Sequence, residues 1–251
     1  MYINAIGHYI PALRIDNNYF KELNGLDDEW IFPRTGIKTR SRMSEGENGH
    51  TMGLAAVENA LATLPYPIET VDLIIHASYS PLDTVGTLAH VVQQKYQVAG
   101  AKAFYISSAC SSFVNAVEIV QSFFQTGKAT RALVIATEQN SLYSHDNCEK
   151  SGHLWGDAAA AMFISKDPVA TANEPRIIDT FTRGLGHVGC GPDGVYLQPG
   201  IDGLQMPDGR DVFQHACEYM VEALRTILTN NNLSINDLNY IIPHQANQRI
   251  V

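Results

Sequence analysis

Two stretches of this 251-residue chain follow one plan: a helical pattern, a short loop, then an apolar run that ends at a histidine. In the first, a helix from Thr51 to Leu64 leads through Ile68, Val71, Ile74 and Ile75 to His76. In the second, a helix from Asp211 to Leu228 leads through Ile235, Leu238, Ile241 and Ile242 to His244. The matching apolar positions keep the same offsets, so the chain reads as a duplicated α/β unit. The two copies continue differently. After His76 the chain runs on through a helix and several strands, whereas after His244 it stops almost at once. Equivalent halves therefore leave roughly 70–90 residues without a counterpart and the second sheet with an unfinished edge. The expected halves are 1–168, carrying the complete unit, and 169–251, cut short at its C-terminus.

Strand-like runs are predicted at 2–6, 71–77, 103–108, 131–137, 158–165, 176–181 and 239–243, where Val, Ile, Ala and aromatic residues cluster. Helical spacing recurs between them, at 48–64, 84–98, 111–126 and 211–230. Strands alternating with helices predict a mostly parallel sheet covered on both faces. At 45% hydrophobic and 17% charged residues, the chain can bury a large core. Runs such as Ala132-Leu133-Val134-Ile135-Ala136 are too short to span a bilayer, and the N-terminus lacks a signal-like pattern, so a cytoplasmic protein is expected without membrane association. A net charge of −9 argues against nucleic acid as a partner. The four cysteines have no CxxC spacing, which leaves them as reduced thiols and gives no metal site.

Cys110 stands apart from the other three. It ends the run Ala103 to Ala109 and opens the helical pattern that begins at Ser111, with Ser107, Ser108, Ala109, Ser111 and Ser112 leaving room around its sulfur. A thiol on a strand-to-helix elbow lies near unpaired helical N–H groups, which are expected to stabilise the thiolate and lower its pKa. Cys110 is therefore a candidate nucleophile. His244 leaves the C-terminal end of its strand, where open α/β sheets place their ligands, and is a candidate partner. His76 ends the matching strand but joins no motif, and reads as structural. Arg34, Lys38, Arg40 and Arg42 gather positive charge beside Trp30, a surface suited to a phosphorylated ligand or an acidic partner, or an ordinary solvated loop.

Five separated motifs resemble, in order, the ketoacyl-acyl carrier protein synthase III group of the thiolase superfamily. They are Asp28-Glu29-Trp30-Ile31 with Arg34-Thr35-Gly36-Ile37, then Ser108-Ala109-Cys110-Ser111, Trp155-Gly156-Asp157-Ala158, Asp208-Gly209-Arg210-Asp211-Val212-Phe213 and Pro243-His244-Gln245-Ala246-Asn247. The resemblance covers the whole chain. It implies a thiolase-like α/β fold of two duplicated halves, layered α-β-α-β-α, the second incomplete here. It also implies an acyltransferase that forms a C–C bond in fatty acid biosynthesis. Cys110 takes an acyl group from acyl-CoA, and malonyl-acyl carrier protein then loses carbon dioxide and condenses with it to a 3-oxoacyl product. His244, with an asparagine from a later glycine-containing loop, donates hydrogen bonds to the malonyl thioester oxygen.

By the same resemblance, Trp30 and Arg34 contact the nucleotide of coenzyme A, and Asn247 and Arg249 join them as binding residues, Arg249 at a carrier-docking position. The protein is expected as a homodimer. No cofactor is implied, since coenzyme A enters as a substrate thioester.

Two positions depart from the family pattern. Glu149-Lys150-Ser151 stands where a further basic stacking residue is usual, which points to a carrier-borne donor. Val85 replaces a bulky aromatic in the loop that limits chain length, which predicts a longer, branched or aryl starter of the polyketide type. A different reading, a non-catalytic or truncated partner that binds acyl chains or a carrier protein, stays open at this level, as does a cysteine hydrolase.

Overall fold

The computed structural model describes residues 1–169 and 174–250. In chain order the elements are β1 (Tyr2–Tyr9), β2 (Leu13–Asp16), α1 (Lys21–Asn24), α2 (Asp28–Thr35), β3 (Thr39–Arg42), α3 (Gly49–Leu61), β4 (Leu73–Ala77), α4 (Leu88–Lys95), β5 (Lys102–Ile106), α5 (Ser112–Gln125), β6 (Arg131–Gln139), α6 (Asn140–Tyr143), β7 (Asp157–Ser165), β8 (Tyr196–Gln198), β9 (Gly203–Gln205) and α7 (Gly209–Asn230). The chain divides into two compact units. The first comprises the described residues of Met1–Leu13, Ser41–Gln139 and Asp157–Thr182; the second takes those of Arg14–Arg40, Asn140–Gly156 and Arg183–Val251. This division cuts the chain differently from halves at 1–168 and 169–251, because segments 14–40 and 140–156 group with the C-terminal residues.

The first unit is built on a five-stranded sheet in the order β1-β7-β6-β4-β5. The pairs β4–β5 and β4–β6 are parallel. The pairs β6–β7 and β1–β7 are antiparallel, so the sheet is mixed and not mostly parallel as expected. Chain connectivity supplies the reason. Parallel neighbours need a crossover, which α4 and α5 provide between β4, β5 and β6, whereas only the four-residue α6 lies between β6 and β7.

Each sheet face carries helices. On one, Met52, Ala56 and Val57 of α3 and Leu88 and Val92 of α4 pack on Ile74, Leu133, Ile135 and Phe163. On the other, Ala116, Val117, Val120 and Phe124 of α5 pack on Leu73, Ile75, Val134 and Ile164. The alternation of Leu73 and Ile75 against Ile74 is the two-residue period of a strand buried on both faces. The packing of α3 on β1 is close: a Cβ at Gly7 would lie 2.2 Å from the carbonyl oxygen of Ala56 and 2.4 Å from the nitrogen of Ala60. Asn48 starts α3 with a capping box, its side chain accepting from Thr51 N at 3.0 Å while the Thr51 hydroxyl accepts from Asn48 N at 2.8 Å.

Two expected strands do not form. Along 176–181, Arg176 makes one bridge to Tyr2, and Ile177 N donates to Met1 O at 2.9 Å, an irregular edge and not a ladder. Residues 239–243 run without strand pairing, and Tyr240 and Ile242 are 87% and 88% exposed. An apolar run becomes a strand only beside another strand, and among the described residues no strand pairs with this one.

In the second unit, the expected helix at 211–230 forms as α7, started by Asp208, whose carboxylate accepts from Arg210 N and Asp211 N at 3.1 Å. The unit contains α1, α2, α6, α7 and the β8–β9 hairpin. Among the described residues, no helix is long and apolar enough to cross a membrane.

Candidate active site

The register of the three parallel strands aligns Ala77 with Ile106 and with Ala136, so β4, β5 and β6 end together. That end of a parallel sheet is where α/β proteins place their chemistry. Three groups emerge from it: Ser78, Tyr79 and Ser80 after β4, Cys110 after β5, and Glu138 near the end of β6. Ser78 N donates to Ile106 O at 3.2 Å and the Tyr105 hydroxyl donates to Ser78 O at 2.8 Å, which fixes the first of these segments to β5.

Cys110 does stand on an elbow. Ala109 before it has φ +49°, a left-handed conformation that few residues other than glycine adopt. Ser112 holds the turn: its buried hydroxyl accepts from Ser108 N at 2.8 Å and donates to Ala109 O at 2.7 Å. The Ser111 hydroxyl donates to Ser108 O at 2.8 Å. A strained residue held by its neighbours beside a nucleophile is a known device for presenting a side chain.

The thiol's ionisation differs from the expectation. Cys110 is accessible at the surface, yet burial of its sulfur pushes the thiol up, the charge of Glu138 pushes it further, and a backbone N–H only partly opposes them. The helix begins at Ser112, with Ser111 as the preceding cap residue, so Cys110 lies outside its first turn. The short-range influence of the helix terminus does not overcome desolvation.

Glu138 is an ionisable group at this sheet end that the sequence reading did not single out. Its half-buried carboxylate accepts from Ser80 Oγ, Ser80 N (3.1 Å), Tyr79 N (3.2 Å) and Ser78 Oγ (3.4 Å). Burial pushes its carboxyl up to about 7, against the lowering effect of those bonds. The available signal was the polar trio Thr137-Glu138-Gln139 closing an apolar strand at the sheet's C-terminal end. His76 is fully buried, bonds Thr137 Oγ1 at 2.8 Å and is pushed down by burial to about 3, so it is neutral and structural. Val85, in the loop between β4 and α4, is 83% exposed; Asp83 holds its backbone by accepting from Val85 N at 2.7 Å and Gly86 N at 3.1 Å.

The second unit brings together Trp30, Arg34, Asn247 and Arg249. The Arg34 guanidinium lies 4.5 Å from the centroid of the Trp30 ring and donates to Trp30 O at 3.0 Å. The ring of buried His153 stands nearly perpendicular to that indole, with centroids 5.4 Å apart. Segment 247–249 docks on the C-terminal end of α2, where helical carbonyls lack partners. Asn247 Nδ2 donates to Arg34 O at 3.1 Å, Gln248 N donates to Thr35 O at 2.9 Å, and Asn247 Oδ1 accepts from Arg249 N at 2.8 Å. The Asn247 amide is thus bonded to backbone at both its ends.

The run of basic residues is not one charged surface. Arg40 and Arg42 are buried, and Arg40 bonds Asn17 Oδ1 at 2.7 Å and Ile15 O at 3.1 Å while stacking on Phe20. His244 also belongs to the second unit, and burial pushes its imidazole down.

Residues 104–185 match the model of the family described as 3-oxoacyl-[acyl-carrier-protein] synthase III. The β-ketoacyl-[acyl-carrier-protein] synthase III of Clostridioides difficile is 33% identical to the chain over 262 residues, an alignment covering 99% of this chain and 77% of the relative. The crystal structure of 3-oxoacyl-[acyl-carrier-protein] synthase III from Aquifex aeolicus aligns with a TM-score of 0.84 at 30% identity, covering 99% of this chain and 78% of that one. The priming β-ketosynthase of the R1128 polyketide pathway aligns with a TM-score of 0.85 at 26% identity, covering 99% and 75%.

Proposed function

The chain belongs to the 3-oxoacyl-[acyl-carrier-protein] synthase III family of thiolase-fold acyltransferases, and from that premise we propose that Cys110 is its acyl-accepting nucleophile. The observation that carries this reading is the elbow: left-handed Ala109 presents the cysteine where β4, β5 and β6 end together. Cys110 sulfur attacks the carbonyl of an acyl thioester, an S–C bond forms, and the bond to the coenzyme A sulfur breaks. The departing thiolate takes up a proton equivalent to the one the cysteine lost. Malonyl-acyl carrier protein then loses carbon dioxide, and the enolate carbon left behind attacks the acyl-cysteine. A C–C bond forms, the C–S bond breaks and Cys110 is restored. No resident cofactor takes part in this scheme.

His244 fits the donor role toward the enolate oxygen, because partial desolvation pushes its imidazole down and so favours the neutral ring, which carries one N–H donor. Trp30 and Arg34 receive the nucleotide of coenzyme A, with the guanidinium already placed over one indole face. Arg249, exposed beside them, is offered to an acidic carrier protein. Asn247 supports this surface by tying its own segment to α2. The starter is larger than acetyl: Val85 supplies little bulk, and a polyketide priming synthase is among the similar structures. A homodimer is supported by β5, which ends the sheet order, has β4 as its one strand neighbour among the described residues, and has half-buried Phe104 and Ile106 along it. The place of action is the cytoplasm, in keeping with coenzyme A and carrier-protein substrates.

Intact-mass measurement after incubation with a series of acyl-CoA and acyl-carrier thioesters tests the reading. One acyl adduct is expected on the wild-type protein and none on Cys110→Ala. An adduct that persists in the variant, or its absence in both proteins, would remove Cys110 from this role.

A further inference from the structure

Glu138 has no part in the condensation scheme, yet it shares the sheet end with the nucleophile. We infer that Glu138 is a positioning residue for Cys110, fixing the Ser78–Ser80 turn beside it and controlling by its own charge whether the sulfur ionises. The inference deepens the nucleophile reading and rests on it.

Three observations carry it. The register that aligns Ala77, Ile106 and Ala136 brings the segments after β4 and β5 and the end of β6 to one edge, so Ser78–Ser80, Cys110 and Glu138 emerge side by side. The carboxylate is engaged with the turn after β4 through two backbone N–H groups and two serine hydroxyls, while Gln139 N donates to Ser80 Oγ at 3.0 Å. Finally, Glu138 and the thiol are both desolvated, and each is pushed towards its neutral form. Two negative charges in one poorly solvated place disfavour each other, so the pair holds a proton longer than either group would alone.

Among the described residues, Glu138 is the one neighbouring charge that acts on the thiol. Across residues 107–112 Cys110 is the one ionisable side chain. The turn after β4 contributes Ser78, Tyr79 and Ser80, β5 contributes the Tyr105 phenol bonded to Ser78 O, and His76 on β4 stays neutral. When the thiol gives up its proton, a protonated Glu138 leaves the sulfur as the single negative charge; when Glu138 is ionised, thiolate formation is opposed.

The test uses alkylation of Cys110 by iodoacetamide, a neutral reagent, from about pH 6 to about pH 10. Peptide mapping separates Cys110 from Cys148, whose thiol Ser151 and nearby backbone N–H groups hold below the ordinary value despite burial. Glu138→Gln keeps the acceptor oxygen and removes the charge. Its alkylation midpoint is expected about half to one pH unit below that of wild type, with roughly 3–10-fold faster labelling below the midpoint. A purely structural glutamate would change labelling at all pH values together and leave the midpoint in place. That result from a folded E138Q protein would overturn the inference.

If E138Q does not fold, Ser80→Ala decides. It withdraws a donor from the carboxylate, so Glu138 stays protonated to higher pH and Cys110 labels faster than wild type near pH ~8. A wild-type profile in S80A would then overturn it. Alkylation needs no acyl donor, so this outcome is read apart from any failure of the acyl-transfer reading.

Discussion

Ala109 illustrates how much one residue contributes to this site. A left-handed conformation costs an L-residue roughly 1–2 kcal/mol, and here it is imposed by the bonds that Ser112 makes to Ser108 and Ala109. Replacing Ala109 by Val raises that cost, since a β-branched side chain fits the conformation worst. A loss of about 2 kcal/mol or more is expected in urea unfolding, while Ala109→Gly should equal or exceed wild type in stability; a stable valine variant would contradict the strained elbow. His76 makes a second prediction at this scale. Its folded value is depressed from 6.5 to about 3, so below pH 6.5 the unfolded chain binds a proton that the folded one refuses. Its contribution is therefore present above 6.5 and lost as pH falls towards 3. Glu138 acts oppositely, because its raised folded value makes the folded state the better proton binder between 4.5 and about 7. Stability curves of wild type and His76→Gln should diverge in this sense: wild type loses more on acidification, and parallel curves would refute it. The elbow that carries Cys110 was legible as a cysteine between strand and helix. The thiol's ionisation was not, because burial of the sulfur and the charge of a carboxylate 28 residues further along the chain both push its pKa up.

At the scale of elements, the four main helices and five core strands were legible from periodicity, and they formed within a few residues of their expected bounds. Strand direction was not, since the length and helicity of a connection, and not the strand's own pattern, decide whether its neighbour is parallel. The apolar runs at 176–181 and 239–243 show the same limit: β-propensity describes a surface fit to a ladder and does not provide the partner. Packing between elements makes its own prediction. Gly7 in β1 faces the backbone of α3 with no space for a methyl group, and Ala56 and Ala60 are small where the helix meets it. Gly7→Val must push a helix off the sheet, at a cost of about 3 kcal/mol or more, above the usual range for overpacking because the obstacle is backbone. Circular dichroism during thermal unfolding would register this as a large drop in Tm; an unchanged Tm would mean that β1 and α3 do not pack this closely.

For the whole molecule, the chain matches its relatives along almost all of its own length and spans about three quarters of theirs. The family is thus shown, and the larger starter proposed from Val85 is open to a direct test. Val85→Phe is expected to shift self-acylation towards the shortest donors by roughly tenfold or more in relative rate, as restoring bulk to a chain-limiting position should. Competition between short and long acyl-CoA measured by intact mass checks this, and unchanged preference would detach Val85 from the acyl site. The sequence by itself determined the family, the α/β class, the main elements and the elbow cysteine, because these are written in local periodicity and in contiguous motifs. Only the tertiary structure decided the mixed sheet, the burial of Arg40 and Arg42, the docking of segment 247–249 on α2 and the influence of the Glu138 charge on Cys110. Each of these depends on strand register, on hydrogen bonds between distant segments or on desolvation by residues distant in sequence, and none of these exists until the chain has folded.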